Sequence, residues 1–82
     1  MKILVNVHIP AISERFDMLI PDSLRIKTVV SLITNTIGTL TNHPYVSSGE
    51  EILCSVEKGI LLRNNATLER YGIKNGDHLI IM

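Results

Sequence analysis

Residues 24–40, LRIKTVVSLITNTIGTL, decide the fold of this 82-residue chain, because their apolar members recur at a helical period. Ile26, Val29, Val30, Ile33, Ile37 and Leu40 fall at i, i+3, i+4, i+7, i+11 and i+14 and stack on one face. Lys27, Thr28, Ser31, Thr34, Asn35 and Thr39 make up the face that can meet water. A strand is the rival reading, but alternation fails where Val29 and Val30 stand together. The segment is rich in Val, Ile and Thr, which are poor helix formers, so its stability has to come from packing. Every other apolar run is short and β-branched, which leaves this helix only sheet to pack against. Pro21-Asp22-Ser23 breaks the chain ahead of it, with Ser23 as the expected N-cap. Gly38 and the Thr41-Asn42-His43-Pro44 tract are expected to end it.

Upstream, Met1 to Ile9 alternates so that Met1, Ile3, Val5, Val7 and Ile9 point one way and Lys2, Leu4, Asn6 and His8 the other. Pro10 cannot donate to a ladder, so residues 10–14 turn the chain into a second strand, Arg15 to Ile20, in which Phe16, Met18 and Ile20 share a side. Downstream of the helix, residues 44–51 read as a loop. Ile52 to Val56 forms a third strand, and Lys58-Gly59 turns into a short fourth strand at Ile60-Leu61-Leu62. Two registers are open for the third strand: Ile52, Cys54 and Val56 inward, or Leu53 and Ser55 inward. Thr67 can cap a single helical turn that Gly72 ends, and Asn75-Gly76-Asp77 turns into a last strand at His78 to Met82. A right-handed crossover through the helix sets the first and last strands side by side and parallel. This predicts an α+β fold of the β-grasp type: a mixed sheet of about five strands with one main helix on one face, in a single domain over residues 1–82.

Composition narrows the function classes. Lys plus Arg equals Asp plus Glu at 8 each, so no net field draws in nucleic acid or an anionic membrane. One cysteine excludes an internal disulfide and a cysteine-built zinc site in a single chain, which suits the cytosol. No apolar run reaches the roughly 18 residues of a membrane span. Glu14, Arg15 and Asp17 interrupt the region where a signal peptide has its apolar core. The expectation is a cytoplasmic protein without direct membrane insertion.

Residues 61–82, LLRNNATLERYGIKNGDHLIIM, resemble the second half of ubiquitin-like domains, in which a Thr-Leu pair, a Tyr three residues later and an Ile two further precede the final strand. Here these are Thr67, Leu68, Tyr71 and Ile73. Length, the Pro21…Ile26-Lys27 approach to the helix, the Lys58-Gly59…Leu61-Leu62 hairpin and the Gly72-Ile73…Asn75-Gly76-Asp77…Leu79 ending together resemble the YukD/EsaB family of bacterial ubiquitin-like proteins. The resemblance implies an accessory or regulatory subunit of a Gram-positive type VII secretion system. It further implies protein partners among the machinery, namely a pseudokinase-like membrane subunit and the ATPase, reached at the inner face of the membrane. A free-standing ubiquitin-like adaptor, or a modifier or sulfur carrier, is the alternative. The last three residues are Ile80-Ile81-Met82 where such carriers have Gly-Gly, so covalent transfer is not expected.

No enzyme or cofactor is expected. Cys54 could serve as a nucleophile with His8, His43 or His78 as base, but no motif places a base or oxyanion donor beside it, and a small apolar strand residue explains it. The three histidines lie on separate elements without metal-ligand spacing. The asparagines of Asn64-Asn65 and Asn75-Gly76 are explained as turn formers. With Ile3, Val5, Leu79 and Ile81 directed at the helix, Leu4, Ile80 and Met82 emerge on the helix-free face, with His78 and Val56 beside them. These five residues are the expected partner-binding site, for a secretion subunit or for a second copy of the chain.

Overall fold

The computed structural model describes residues 1–40 and 49–82. Strand β1 (Lys2–Ile9) passes through one 3-10 turn at Pro10–Ile12 into β2 (Glu14–Pro21). Ser13 adopts a left-handed φ of 52° and its N–H donates to the Pro10 carbonyl at 3.1 Å, closing the turn. Helix α1 (Ile26–Leu40) follows, then β3 (Leu53–Ser55), β4 (Ile60–Leu61) and β5 (His78–Ile81). The sheet order is β2-β1-β5-β3-β4. Only β1 and β5 run parallel; the other neighbours are antiparallel. This is a β-grasp.

The helix lies over one face of that sheet because both surfaces need the same partner. Ile3, Val5, Val7 and Ile9 of β1, Ile20 of β2, Leu53 of β3, and Leu79 and Ile81 of β5 form one core with Ile26, Val29, Ile33 and Ile37 of α1. Val30 is only half-buried at the margin. Inside the helix the threonines return their hydroxyls to the backbone: Thr36 Oγ1 donates to the Leu32 carbonyl at 2.6 Å and Thr39 Oγ1 to the Thr36 carbonyl at 3.0 Å. Such back-bonding lets a β-branched polar residue sit mid-helix without an unsatisfied group. Thr34 is not on the wetted face that the pattern assigns to it; it is 8% exposed, its hydroxyl donating to the Ser31 carbonyl.

The helix termini also differ from expectation. The first helical residue is Ile26, so Ser23 lies too early to cap it. The orphan N–H groups of Ile26 and Lys27 donate instead to the carbonyls of Ala66 and Asn64, at 2.8 and 3.1 Å. Gly38 sits within the helix, which runs on to Leu40; residues 41–48, including the tract expected to stop it and most of the expected loop, lie outside the described residues.

In β3, Leu53 and Ser55 point inward and Cys54 outward, which decides between the two open registers. A buried serine is tolerated because its hydroxyl accepts from the Lys58 N–H at 3.2 Å while its carbonyl accepts from the Gly59 N–H at 2.9 Å. Further on, Thr67 Oγ1 accepts from the Arg70 N–H at 3.1 Å, as expected of a cap. Gly72, at φ 70°, ends that turn with a paired motif: its N–H donates to the Glu69 carbonyl and the Ile73 N–H to the Leu68 carbonyl. Leu68 and Ile73 are both buried in the core.

Candidate functional site

The helix-free face of the sheet is read from its registers, since directly opposed residues share a side. One row crosses all five strands: Arg15, His8, Ile80, Cys54 and Leu61. On one side of that row lie Met82 and Ile52, whose backbones exchange two hydrogen bonds of 2.9 Å. On the other side lie His78 and Val56, joined by a 3.0 Å bond from the Val56 N–H to the His78 carbonyl. Ile80, Met82, Ile52, Cys54, Val56 and Leu61 thus form one continuous apolar patch over β5, β3 and β4. Leu61 is 59% and Met82 64% exposed.

Leu4 is not part of it. The parallel register sets His8, not Leu4, beside Ile80. Leu4 lies four residues back along β1, about 13 Å at strand spacing. It pairs with Leu19, and the two are 46% and 59% exposed. Between this pair and the Ile80 patch runs a polar row in which Asn6 Nδ2 donates to Asp17 Oδ1 at 3.1 Å, with His78 next to Asn6. Of the five residues expected to act together, Val56, His78, Ile80 and Met82 are brought together and Leu4 is set apart. Ile52, Cys54 and Leu61 join the first group and Leu19 the second. Their signal was the outward alternation 52, 54, 56, which becomes readable once Ser55 is known to be buried.

Charge at the patch is concentrated at its rim. Glu57 accepts from the His78 backbone N–H at 2.8 Å through Oε1, and its Oε2 meets His78 Nδ1. The hydrogen bond to the His78 ring, followed by that to the backbone, holds the Glu57 carboxyl below its ordinary pKa. Burial pushes the Cys54 thiol up, away from the thiolate that a nucleophile requires. Ile80 separates Cys54 from His8 in the row, His78 is engaged by Glu57, and His43 lies outside the described residues. No group of three or more metal-ligating side chains occurs among the described residues. The face presents apolar surface bordered by the Glu57–His78 contact. Among the described residues no helix is long and apolar enough to cross a membrane.

The same fold occurs in proteins of very different sequence. A ubiquitin-like domain from Arabidopsis thaliana is 22% identical, with a TM-score of 0.66 over 99% of this chain and 76% of that one. The ubiquitin of Caldiarchaeum subterraneum is 13% identical, with a TM-score of 0.76 over 99% and 91%. The ubiquitin-like domain of EccD5 from Mycobacterium xenopi is 16% identical, with a TM-score of 0.73 over 100% and 93%. At such identities the likeness establishes the ubiquitin-like fold alone. No curated protein matches the sequence. Residues 4–81, however, match the family described as protein YukD of the WXG100 protein secretion system. The match covers nearly the whole chain, and the protein belongs to the YukD family of ubiquitin-like proteins associated with that secretion system.

Proposed function

We propose that the protein is a non-catalytic accessory or regulatory subunit of a WXG100 (type VII) secretion apparatus, working in the cytoplasm through protein–protein contacts. Its partners in this reading are subunits of the machinery itself, the pseudokinase-like membrane subunit and the ATPase, which hold it at the inner face of the membrane without insertion of its own. The observation that carries the reading is the patch around Ile80: six apolar side chains contiguous across three strands on a face that no helix among the described residues covers. Exposed apolar surface of this continuity is costly for an isolated domain and is ordinarily covered by another protein.

The test is affinity capture from host cells that express the apparatus, with wild type, Leu61→Asp/Met82→Asp and Leu4→Asp/Leu19→Asp compared by mass spectrometry. Both substituted pairs are largely exposed, so both variants should keep the wild-type melting temperature within a few degrees. The first pair should lose the secretion subunits and the second should retain them. Retention by a folded Leu61→Asp/Met82→Asp protein would discard the patch, and recovery of no secretion subunit by wild type would discard the role.

A further inference from the structure

On the helix side of the sheet, two clefts of about 460 and 750 Å³ meet along a wall that Arg25 and Asn65 share. The first lies between the start of α1 and the 64–65 loop and is also lined by Lys27; the second continues past Arg63 to Arg70 and Tyr71. Four of the chain's 8 Lys and Arg residues therefore line one groove on a protein of zero net charge. Arg25, Lys27, Arg63 and Arg70 are all exposed, and none is ion-paired to a carboxylate among the described residues. The backbone that carries them is fixed. The Arg63 N–H donates to Tyr71 Oη at 3.0 Å, the Arg70 N–H to Thr67 Oγ1 at 3.1 Å, and the Lys27 N–H to the Asn64 carbonyl at 3.1 Å.

From this we infer that the groove binds an extended, Asp/Glu-rich segment of a partner protein. Arg25, Lys27, Arg63 and Arg70 add their attraction for carboxylates laid along the clefts they line, while Glu50 and Glu51 line the adjoining clefts beside Arg63 and Lys27. The three arginines can each grip a carboxylate through two N–H groups, which a fixed backbone makes less costly to arrange. Asn65 adds an amide that can both donate to and accept from a peptide backbone. The N–H groups of Ile26 and Lys27 are already taken by Ala66 and Asn64, so side chains rather than the helix end hold the anion. Other anionic partners fit less well. Tyr71, whose hydroxyl is engaged and whose ring is half-buried, is no platform for stacked bases. This site is separate from the Ile80 patch and does not depend on the role assigned to that patch.

The probe is a short fluorescein-labelled peptide of alternating Glu and Ser, titrated against the folded protein at low ionic strength. Amide NMR shifts should cluster at residues 25–31 and 63–71. The Arg25→Gln/Arg63→Gln/Arg70→Gln protein should bind about tenfold more weakly, while a control of equal charge change, Lys2→Gln/Arg15→Gln/Lys74→Gln, should lose less than about twofold. Should the triple variant melt early, Arg25→Gln alone together with the shift map decides. Absent binding, equal losses in the two variants, or shifts spread over all basic residues would overturn the assignment. Tighter binding to phosphatidylserine vesicles or single-stranded DNA than to the peptide would overturn it as well.

Discussion

The backbone N–H of Leu4 donates to Asn75 Oδ1 at 2.7 Å, across 71 residues of sequence. The Leu4 carbonyl in turn accepts from the Gly76 N–H, also at 2.7 Å, so both backbone groups of one residue in β1 are held by the turn that launches β5. The parallel ladder begins two residues further on, at Asn6 and His78. Asn75 thus extends the pairing of the two central strands beyond their last shared register and stops it from slipping.

Removal of that side-chain acceptor should cost about 1 kcal/mol, the net worth of one hydrogen bond at a partly wetted site. Asn75→Ala is therefore expected to lower the urea midpoint measurably, whereas Asn75→Asp, which keeps an oxygen in place, should stay near wild type. Equal losses in the two variants would mean that the Asn75 amide group, not the bond to Leu4, matters.

Two glycines should respond in opposite directions to the same change. Gly38 lies in the helix with nothing within 4 Å of an added Cβ, so Gly38→Ala should stabilise by roughly 0.4–1 kcal/mol through the entropy of the unfolded chain. Gly72 has comparable space but sits at φ 70°, and Gly72→Ala should destabilise by about 1–2 kcal/mol. Thermal melts of the pair test whether backbone conformation, rather than room, governs both sites.

Across a single residue step on α1 the cost of truncation should change severalfold. Ile33 is fully buried against the sheet and Leu32 is 37% exposed. Ile33→Ala should cost about 2–5 kcal/mol, and Leu32→Ala less than about 1, by chemical denaturation. Similar losses would contradict the orientation of the helix on the sheet.

What could be read in the sequence was what short-range periodicity controls. The helix from its 3.6-residue repeat and the strands from alternation required no knowledge of distant partners, and the core residues Ile3, Val5, Ile26, Ile33 and Leu79 follow from them. What resisted reading was set by partners far along the chain. Ser23 looked like a cap because caps are local, but the N–H groups of Ile26 and Lys27 are satisfied by carbonyls nearly 40 residues later, at Ala66 and Asn64. Which face of β3 is buried stays open in the sequence because Ser55 is polar, and the bonds from Lys58 and Gly59 make its burial tolerable. Leu4 and Ile80 share a face as alternation implies, yet the parallel register, which no pattern within either strand encodes, places His8 rather than Leu4 beside Ile80.

The Glu57–His78 contact makes the rim of the Ile80 patch sensitive to acid. Hydrogen bonding to the His78 ring and backbone lowers the Glu57 pKa below the ordinary 4.5. A depressed carboxylate pKa contributes stability that is present above the unfolded-state value and is lost as pH falls through the folded-state value. The window therefore opens near pH 4.5 and extends downward. Glu57→Gln keeps an oxygen for the His78 N–H but cannot titrate. Its melting temperature should lie slightly below wild type at about pH 6, and the gap should narrow as pH falls below 4.5 and the wild-type carboxylate is protonated. The contact is exposed and screened, so the gap should also shrink in high salt. A gap that is constant across this range would show that Glu57 contributes through its shape alone and that its charge has no part in holding His78 at the edge of the patch.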